Sequence, residues 1–105
     1  MVSRKILNKA TKQLVEKFHP KKIILFGSQA RGTADKRSDI DLLVICPIKG
    51  KRHNLMVKMN SILGELDNAF EVVILTSEEF ERDSRIPGTI GRYASQEGKI
   101  LYEYS

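Results

Sequence analysis

Three short apolar runs limit what this chain can fold into more than any other feature of its sequence. They span Lys22 to Phe26, Asp39 to Cys46 and Phe70 to Leu75, and each is rich in Ile, Leu or Val. Runs of this length and β-branched content predict buried strands. Gly27 ends the first run and Pro47 ends the second, which supports these boundaries. The sequence therefore predicts a sheet at the centre of the fold.

Between these runs, apolar residues recur at the spacing of amphipathic helices. The helical segments are 4–18 with Ser3 as candidate N-cap, 50–66, a stretch that begins near Thr76 and is broken at Pro87-Gly88, and one that runs to about Gln96. A last apolar run, 99–102, predicts a fourth strand. This order predicts an α+β fold, a small mixed sheet flanked by helices. The short connection between the first two strands favours an antiparallel pair.

Length and composition restrict the class of protein. A chain of 105 residues suits one domain, so we expect residues 1–105 to form a single unit. The sequence contains no apolar run near the roughly 20 residues of a membrane span and no apolar signal-peptide core. The one cysteine, Cys46, is expected to be a buried core thiol, and these features are typical of a cytoplasmic protein. The net charge of +5 comes from basic residues scattered along the sequence, which does not favour nucleic-acid binding.

A glycine–serine pair follows the first predicted strand. Ser28 would open a helical turn whose backbone N–H groups are free to face an anion. Gly27 has no Cβ, so a phosphate could approach its backbone closely. The pattern is neither a P-loop nor a dinucleotide-binding fingerprint. Taken alone, it is also typical of an ordinary turn.

Two aspartates at the start of the second run make the pattern more specific. Asp39 and Asp41 are two residues apart in a predicted strand, so both side chains would emerge on one face. Two carboxylates held this close repel each other, and a divalent cation such as Mg²⁺ would neutralise them. The alternative interpretation is a solvated strand end. It explains Asp39 better than Asp41, which is followed directly by four apolar residues.

Together these motifs resemble a known family. Gly-Ser-x-Ala-Arg-Gly at 27–32, followed by Ser-Asp-Ile-Asp-Leu-x-Val at 38–44, resembles the signature of the DNA polymerase β-like nucleotidyltransferases. The pattern is most similar to the minimal nucleotidyltransferases, the MntA type found beside HEPN-family partners. Residues 92–94 and 97–102 also resemble the C-terminal ending of that group. The resemblance implies a polymerase β-like fold over nearly the whole chain.

The resemblance also implies three metal-binding carboxylates: Asp39, Asp41 and one from a neighbouring strand. Glu71 is the candidate for the third, with Asp67 as the alternative. This family more often has Asp there, and the extra methylene of Glu could displace a metal. A solvated glutamate at a strand end is the other interpretation of Glu71.

For the nucleotide, the resemblance implies that Gly27 and Ser28 hold the triphosphate of ATP. Arg31 would add positive charge against the phosphates, although a loop arginine facing water is an equal alternative. Two Mg²⁺ ions would be bound at the carboxylates and assist attack of a hydroxyl on the α-phosphorus.

The activity implied is therefore transfer of a nucleoside monophosphate, AMP from ATP, to a hydroxyl. The expected acceptor is a tyrosine of a HEPN-type helical toxin, which would make the chain an antitoxin. Two alternatives remain open. One is a non-catalytic toxin-binding module with a vestigial nucleotide site. The other is a nucleotidyltransferase for a small, aminoglycoside-like molecule, which would need another subunit, in a homo- or hetero-oligomer, to complete its pocket.

Overall fold

The computed structural model describes residues 3–27, 30, 32, 39–66 and 68–104. In chain order, the elements in these ranges are α1 Arg4–Phe18, β1 Lys22–Phe26, β2 Ile40–Ile45, α2 Arg52–Leu63, β3 Phe70–Leu75, α3 Ser77–Asp83, α4 Ile90–Glu97 and β4 Lys99–Glu103.

The four strands form one mixed sheet in the order β3-β2-β1-β4. β1 is antiparallel to both of its neighbours, β2 and β4. The expected antiparallel pairing of the first two strands is therefore confirmed. β2 and β3 are parallel, and α2 lies in the crossover that a parallel pair requires.

Helices cover both faces of this sheet. One face packs against Ala10 and Leu14 of α1 and against Met59 and Leu63 of α2. The opposite face, which we call the α3/α4 face, packs against Phe80 of α3 and against Ala94 and Tyr93 of α4. Because side chains alternate along a strand, each strand contributes to both cores. The strand residues on the α3/α4 face are Ile24, Phe26, Leu43, Ile45, Val73 and Leu75.

Most element boundaries agree with the sequence pattern, and the exceptions have local causes. Ser3 caps α1 as expected, because its hydroxyl accepts a hydrogen bond from the Ile6 N–H at 3.2 Å. α2 is shorter than the predicted 50–66, since its last turn closes at Gly64, whose N–H donates to the carbonyls of residues 60 and 62. β2 begins at Ile40, the first residue paired with β3, so Asp39 precedes the strand.

Two other expectations concern the class of protein. Cys46 is buried, and this burial raises the pKa of its thiol, as expected for a core cysteine. Within the described ranges, none of the helices has the length and apolar character needed to span a bilayer.

Candidate active site

The pairing of β2 with β3 brings two carboxylates together. Asp41 is the register partner of Glu71. Asp41 is two residues from Leu43, and Glu71 is two residues from Val73, both of which belong to the α3/α4 face. Both carboxylates therefore emerge from that face, near the first residues of β2 and β3.

The electrostatics of Asp41 show how closely this pair is held. The pKa of Asp41 is raised, first because the side chain is partly buried and then because of the nearby charges of Glu71 and Asp39. A side-chain hydrogen bond between Asp41 and Glu71 raises it further. All of these causes oppose the ionisation of Asp41, and a bound cation would offset them by neutralising the carboxylates.

Asp39 is placed differently from the other two carboxylates. It is exposed and lies one residue before β2, although its charge still acts on Asp41. Among the residues that the structure describes, no three His, Cys, Asp or Glu side chains are gathered closely enough to hold an ion as they stand. The structure thus brings Asp41 and Glu71 together and leaves Asp39 at their edge.

This donor set fits a magnesium ion. Mg²⁺ in proteins is usually bound by one or two carboxylates, with water and substrate phosphate oxygens in its other positions. Asp41 and Glu71 supply two such carboxylates, side by side on paired strands. Asp39 could join them through a side-chain rotation, because it is exposed.

Gly27 lies directly against Asp41. It follows β1, and Phe26 before it is the register partner of Asp41. Its φ of 75° is in the left-handed region, which favours glycine. A Cβ at this position would overlap Asp41 Oδ2 and would lie 3.2 Å from Asp41 Cγ. Glycine is therefore required here both by the backbone conformation and by the close approach of the carboxylate.

Three sequence-predicted positions cannot be placed in this site. Ser28 and Arg31, the other candidate phosphate contacts, lie outside the described residues, and so does Asp67, the alternative to Glu71. Gly27 is the part of the glycine–serine turn that can be described. Its carbonyl accepts a hydrogen bond from the Ala30 N–H at 3.1 Å, which closes a turn at this point.

An aromatic pair beside the carboxylates is a feature that the sequence reasoning missed. The ring of Tyr93, on α4, meets the ring of Phe26 edge-on, with centroids 6.4 Å apart and planes at 75°. Phe26 is both the residue before Gly27 and the partner of Asp41. Its place in the strand could have shown that it faces the same side as Asp41. Nothing in the sequence showed that α4 would bring Tyr93 to it.

Comparison with known proteins agrees with this geometry. The nucleotidyltransferase domain family matches residues 5–97. A protein of Methanocaldococcus jannaschii that is named as a protein adenylyltransferase is 37% identical over 83 residues, which cover 78% of this chain and 78% of that protein.

Solved structures show the same fold. A nucleotidyltransferase from Sulfolobus solfataricus superposes with a TM-score of 0.65 at 20% identity, covering 94% of this chain and 78% of that one. A toxin–antitoxin structure with AMP-PNP gives a TM-score of 0.65 at 24% identity, covering 92% and 73%. A variant of the toxin–antitoxin MntA–HpeT gives 0.64 at 22% identity, covering 100% and 76%. The polymerase β-like fold implied by the sequence motif is thereby confirmed.

Proposed function

The chain belongs to the nucleotidyltransferase domain family and is an enzyme of that kind, and from this premise we propose that it transfers AMP from ATP to a hydroxyl group of a partner protein. The observation that carries the proposal is the cross-strand pairing of Asp41 with Glu71, with Gly27 packed against Asp41. The Methanocaldococcus jannaschii relative supports a protein acceptor, because it is named as a protein adenylyltransferase. The neighbour with AMP-PNP, an analogue of ATP, supports ATP as the donor.

In this proposal, Asp41 and Glu71, joined by Asp39, would hold two Mg²⁺ ions. When bound, Mg²⁺ would neutralise the charge on the phosphates and make the attacking hydroxyl more acidic. Loading the site would favour the ionised form of Asp41, whose pKa is otherwise raised.

The chain's own residues would position the reacting groups. Because Gly27 has no Cβ, the Asp41 carboxylate lies directly against its backbone, so phosphate oxygens bound at this turn would lie beside that carboxylate. Gly27 and Ser28 would bind the triphosphate through the backbone of their turn. Arg31 would add a positive charge beside it.

The transfer itself makes one bond and breaks one. The acceptor oxygen would form a bond to the α-phosphorus, and the bond from that phosphorus to its bridging oxygen would break as pyrophosphate leaves. Glu71 is more exposed than Asp41, so it is the better placed of the two to receive the hydroxyl proton.

We propose a HEPN-type helical toxin as the partner and one of its tyrosines as the acceptor, so that the chain acts as an antitoxin in the cytoplasm. Two of the solved neighbours are toxin–antitoxin structures, which supports a toxin partner. The HEPN class and the tyrosine follow from the resemblance of residues 27–44 to the MntA type.

The test is transfer of label from ATP marked at its α-phosphate. The purified protein is mixed with Mg²⁺, the labelled ATP and the product of the adjacent gene. We expect label on the partner, and none when Asp39→Asn and Asp41→Asn are combined. Glu81→Gln, which changes an exposed carboxylate on α3, is the matched control and should transfer normally.

Two results would change the proposed function. If no nucleotide transfers label while the two proteins still associate tightly, the chain is a binding module. Label on an aminoglycoside, but on no helical protein, would show a small-molecule acceptor instead.

A further inference from the structure

We propose that the groove beside Tyr93 on α4 is the subsite for the base of the nucleotide, with the Tyr93 ring as the surface on which the base stacks. The inference rests on the proposed function, because it takes the triphosphate to lie at Gly27 and Asp41. It adds a binding site that neither the motif nor the carboxylate geometry assigns.

The groove has the size and lining that a purine needs. Its volume is about 490 Å³, within the range of small-molecule sites. Side chains of α4 and of the turn before it line the groove, among them Ile90, Arg92, Tyr93 and Gln96. Ile90 is 43% exposed, which is high for an isoleucine and leaves an apolar surface beside the Tyr93 ring.

The packing of Tyr93 on Phe26 places the groove close to the candidate active site. The rings of Tyr93 and Phe26 are in contact, and Phe26 lies opposite Asp41 on the neighbouring strand. Cross-strand partners have Cβ atoms about 5 Å apart, so the Tyr93 ring lies on the order of 10 Å from the Asp41 carboxylate. That span suits a nucleotide whose phosphates lie at the carboxylates and whose base lies against Tyr93.

The chemistry of the lining favours a flat heteroaromatic ring over another phosphate. The edge-on contact with Phe26 fixes the orientation of the Tyr93 ring. The Arg92 guanidinium donates a hydrogen bond to the Ser84 carbonyl at 3.0 Å, which restrains it as a second planar surface. Gln96 carries an amide that can donate and accept at once, the pattern that pairs with adenine.

The experiment compares ATP with inorganic tripolyphosphate, which has the phosphates and no base. Binding of each is measured by calorimetry with Mg²⁺ present. We expect ATP to bind more tightly than tripolyphosphate. Tyr93→Leu should weaken ATP binding about tenfold, the order expected for loss of one stacked base, and leave tripolyphosphate unchanged. Tyr93→Phe should keep the affinity for ATP, since it keeps the ring.

Two further variants protect the test against a folding defect. The chain contains no tryptophan, so Tyr93→Trp places a single fluorescent reporter in the groove. ATP should quench its emission, and tripolyphosphate should not. Ile90→Ser alters the groove at an exposed position and should weaken ATP binding selectively. Tyr104→Leu is the matched control, because Tyr104 is 73% exposed and lies outside the groove.

The outcomes separate this subsite from the proposed function. Equal affinities for ATP and tripolyphosphate, with Tyr93→Trp emission unchanged by ATP, would overturn the base subsite and leave the phosphate site intact. If neither ligand binds the wild-type protein, the proposed function fails, and the subsite fails with it.

Discussion

Gly27 and Asp41 restrict each other at the scale of single residues. The carboxylate occupies the space where a side chain at position 27 would stand, and the backbone of Gly27 has a positive φ. The left-handed backbone of Gly27 and its lack of a side chain together let the partly buried Asp41 carboxylate lie against the residue that follows β1. The same arrangement raises the pKa of Asp41, because burial and neighbouring charges oppose its ionisation. Each of these effects can be measured separately by substitution.

The first prediction concerns Gly27→Ala, with Gly50→Ala as its matched control. Both glycines have nearly the same φ, 75° and 77°, so both substitutions cost about 1 kcal/mol of backbone strain. A Cβ at Gly50 would meet nothing within 4 Å, whereas one at Gly27 would overlap Asp41. Urea denaturation should therefore show a larger loss for Gly27→Ala, by about 1 to 3 kcal/mol. Equal losses would mean that Asp41 moves away at no cost.

The second prediction concerns the stability of Asp41→Asn against pH, without Mg²⁺. Below the ordinary aspartate pKa, Asp41 is protonated in both folded and unfolded chains, so the substitution should change little. As pH rises from the ordinary aspartate pKa through the raised folded pKa, Asp41 ionises in the unfolded wild-type chain before it ionises in the folded one. The wild type therefore loses stability over this range. The variant keeps a hydrogen-bond donor for Glu71 without a charge. It should therefore be more stable than the wild type at neutral pH.

Denaturant midpoints between pH 3 and pH 8 provide this measurement. Asp39→Asn is the control, because Asp39 is exposed and should give a smaller change. A variant less stable than the wild type at neutral pH would show that burial and Glu71 do not oppose the ionisation of Asp41.

At the scale of elements, the strongly patterned segments could be predicted from the sequence. β1 and β3 have the predicted bounds, because each is a short apolar run with a sharp end. α1 also matches, since Ser3 and Pro20 mark its two ends. The end of α2 could not be predicted, because the apolar spacing continues to Leu66 after the helical hydrogen bonds stop.

The candidate site was predictable only in part, because it depends on register. The resemblance singled out Glu71, but its position beside Asp41 follows from the pairing of β2 with β3. A shift of one residue would have placed Glu71 on the other face of the sheet. Tyr93 reaches the site through the packing of α4 on β1, which no local pattern specifies.

The third prediction concerns the link between α2, β3 and α3. The Arg52 guanidinium donates to both carboxylate oxygens of Glu79, at 2.8 and 2.6 Å, and to the Ile74 carbonyl at 3.3 Å. The pKa of Glu79 is lowered, first by the hydrogen bond from Arg52 and then by that from the Thr76 N–H. Glu79→Gln should cost up to about 1 kcal/mol, because the pair is partly exposed.

The pH dependence identifies the source of this stability. A lowered folded pKa means that the contribution of Glu79 is present above the ordinary glutamate pKa and is lost as pH falls through the lowered value. The gap between Glu79→Gln and the wild type should therefore close in acid. Glu81→Gln is the control, since Glu81 and Arg85 form an exposed pair at 3.5 Å. A gap that persists at low pH would assign the effect to packing.

At the scale of the whole molecule, the helices on the two faces of the sheet differ in charge. α1 and α2 carry seven Lys and Arg residues and one acidic residue, Glu16. α3 and α4, over the opposite face, carry two basic and five acidic residues. The basic residues look scattered in the sequence, and the fold gathers seven of the eighteen onto α1 and α2. α3 and α4 thus do little to neutralise a triphosphate at the carboxylates, so in the proposed function that charge is left to Mg²⁺ and Arg31.

This distribution leads to the last prediction, that ATP stabilises the fold only together with Mg²⁺. A ligand that binds only the folded state at 100 times its Kd stabilises it by about 2.7 kcal/mol. For a chain of this size, that raises Tm by on the order of 10 °C. Without Mg²⁺, ATP would bring further negative charge to the Asp41–Glu71 pair, so we expect no increase in Tm.

Calorimetric scans with ATP, with and without EDTA, measure the difference, and Asp41→Asn should abolish it. Equal stabilisation by ATP in EDTA would show that the nucleotide binds away from the carboxylates.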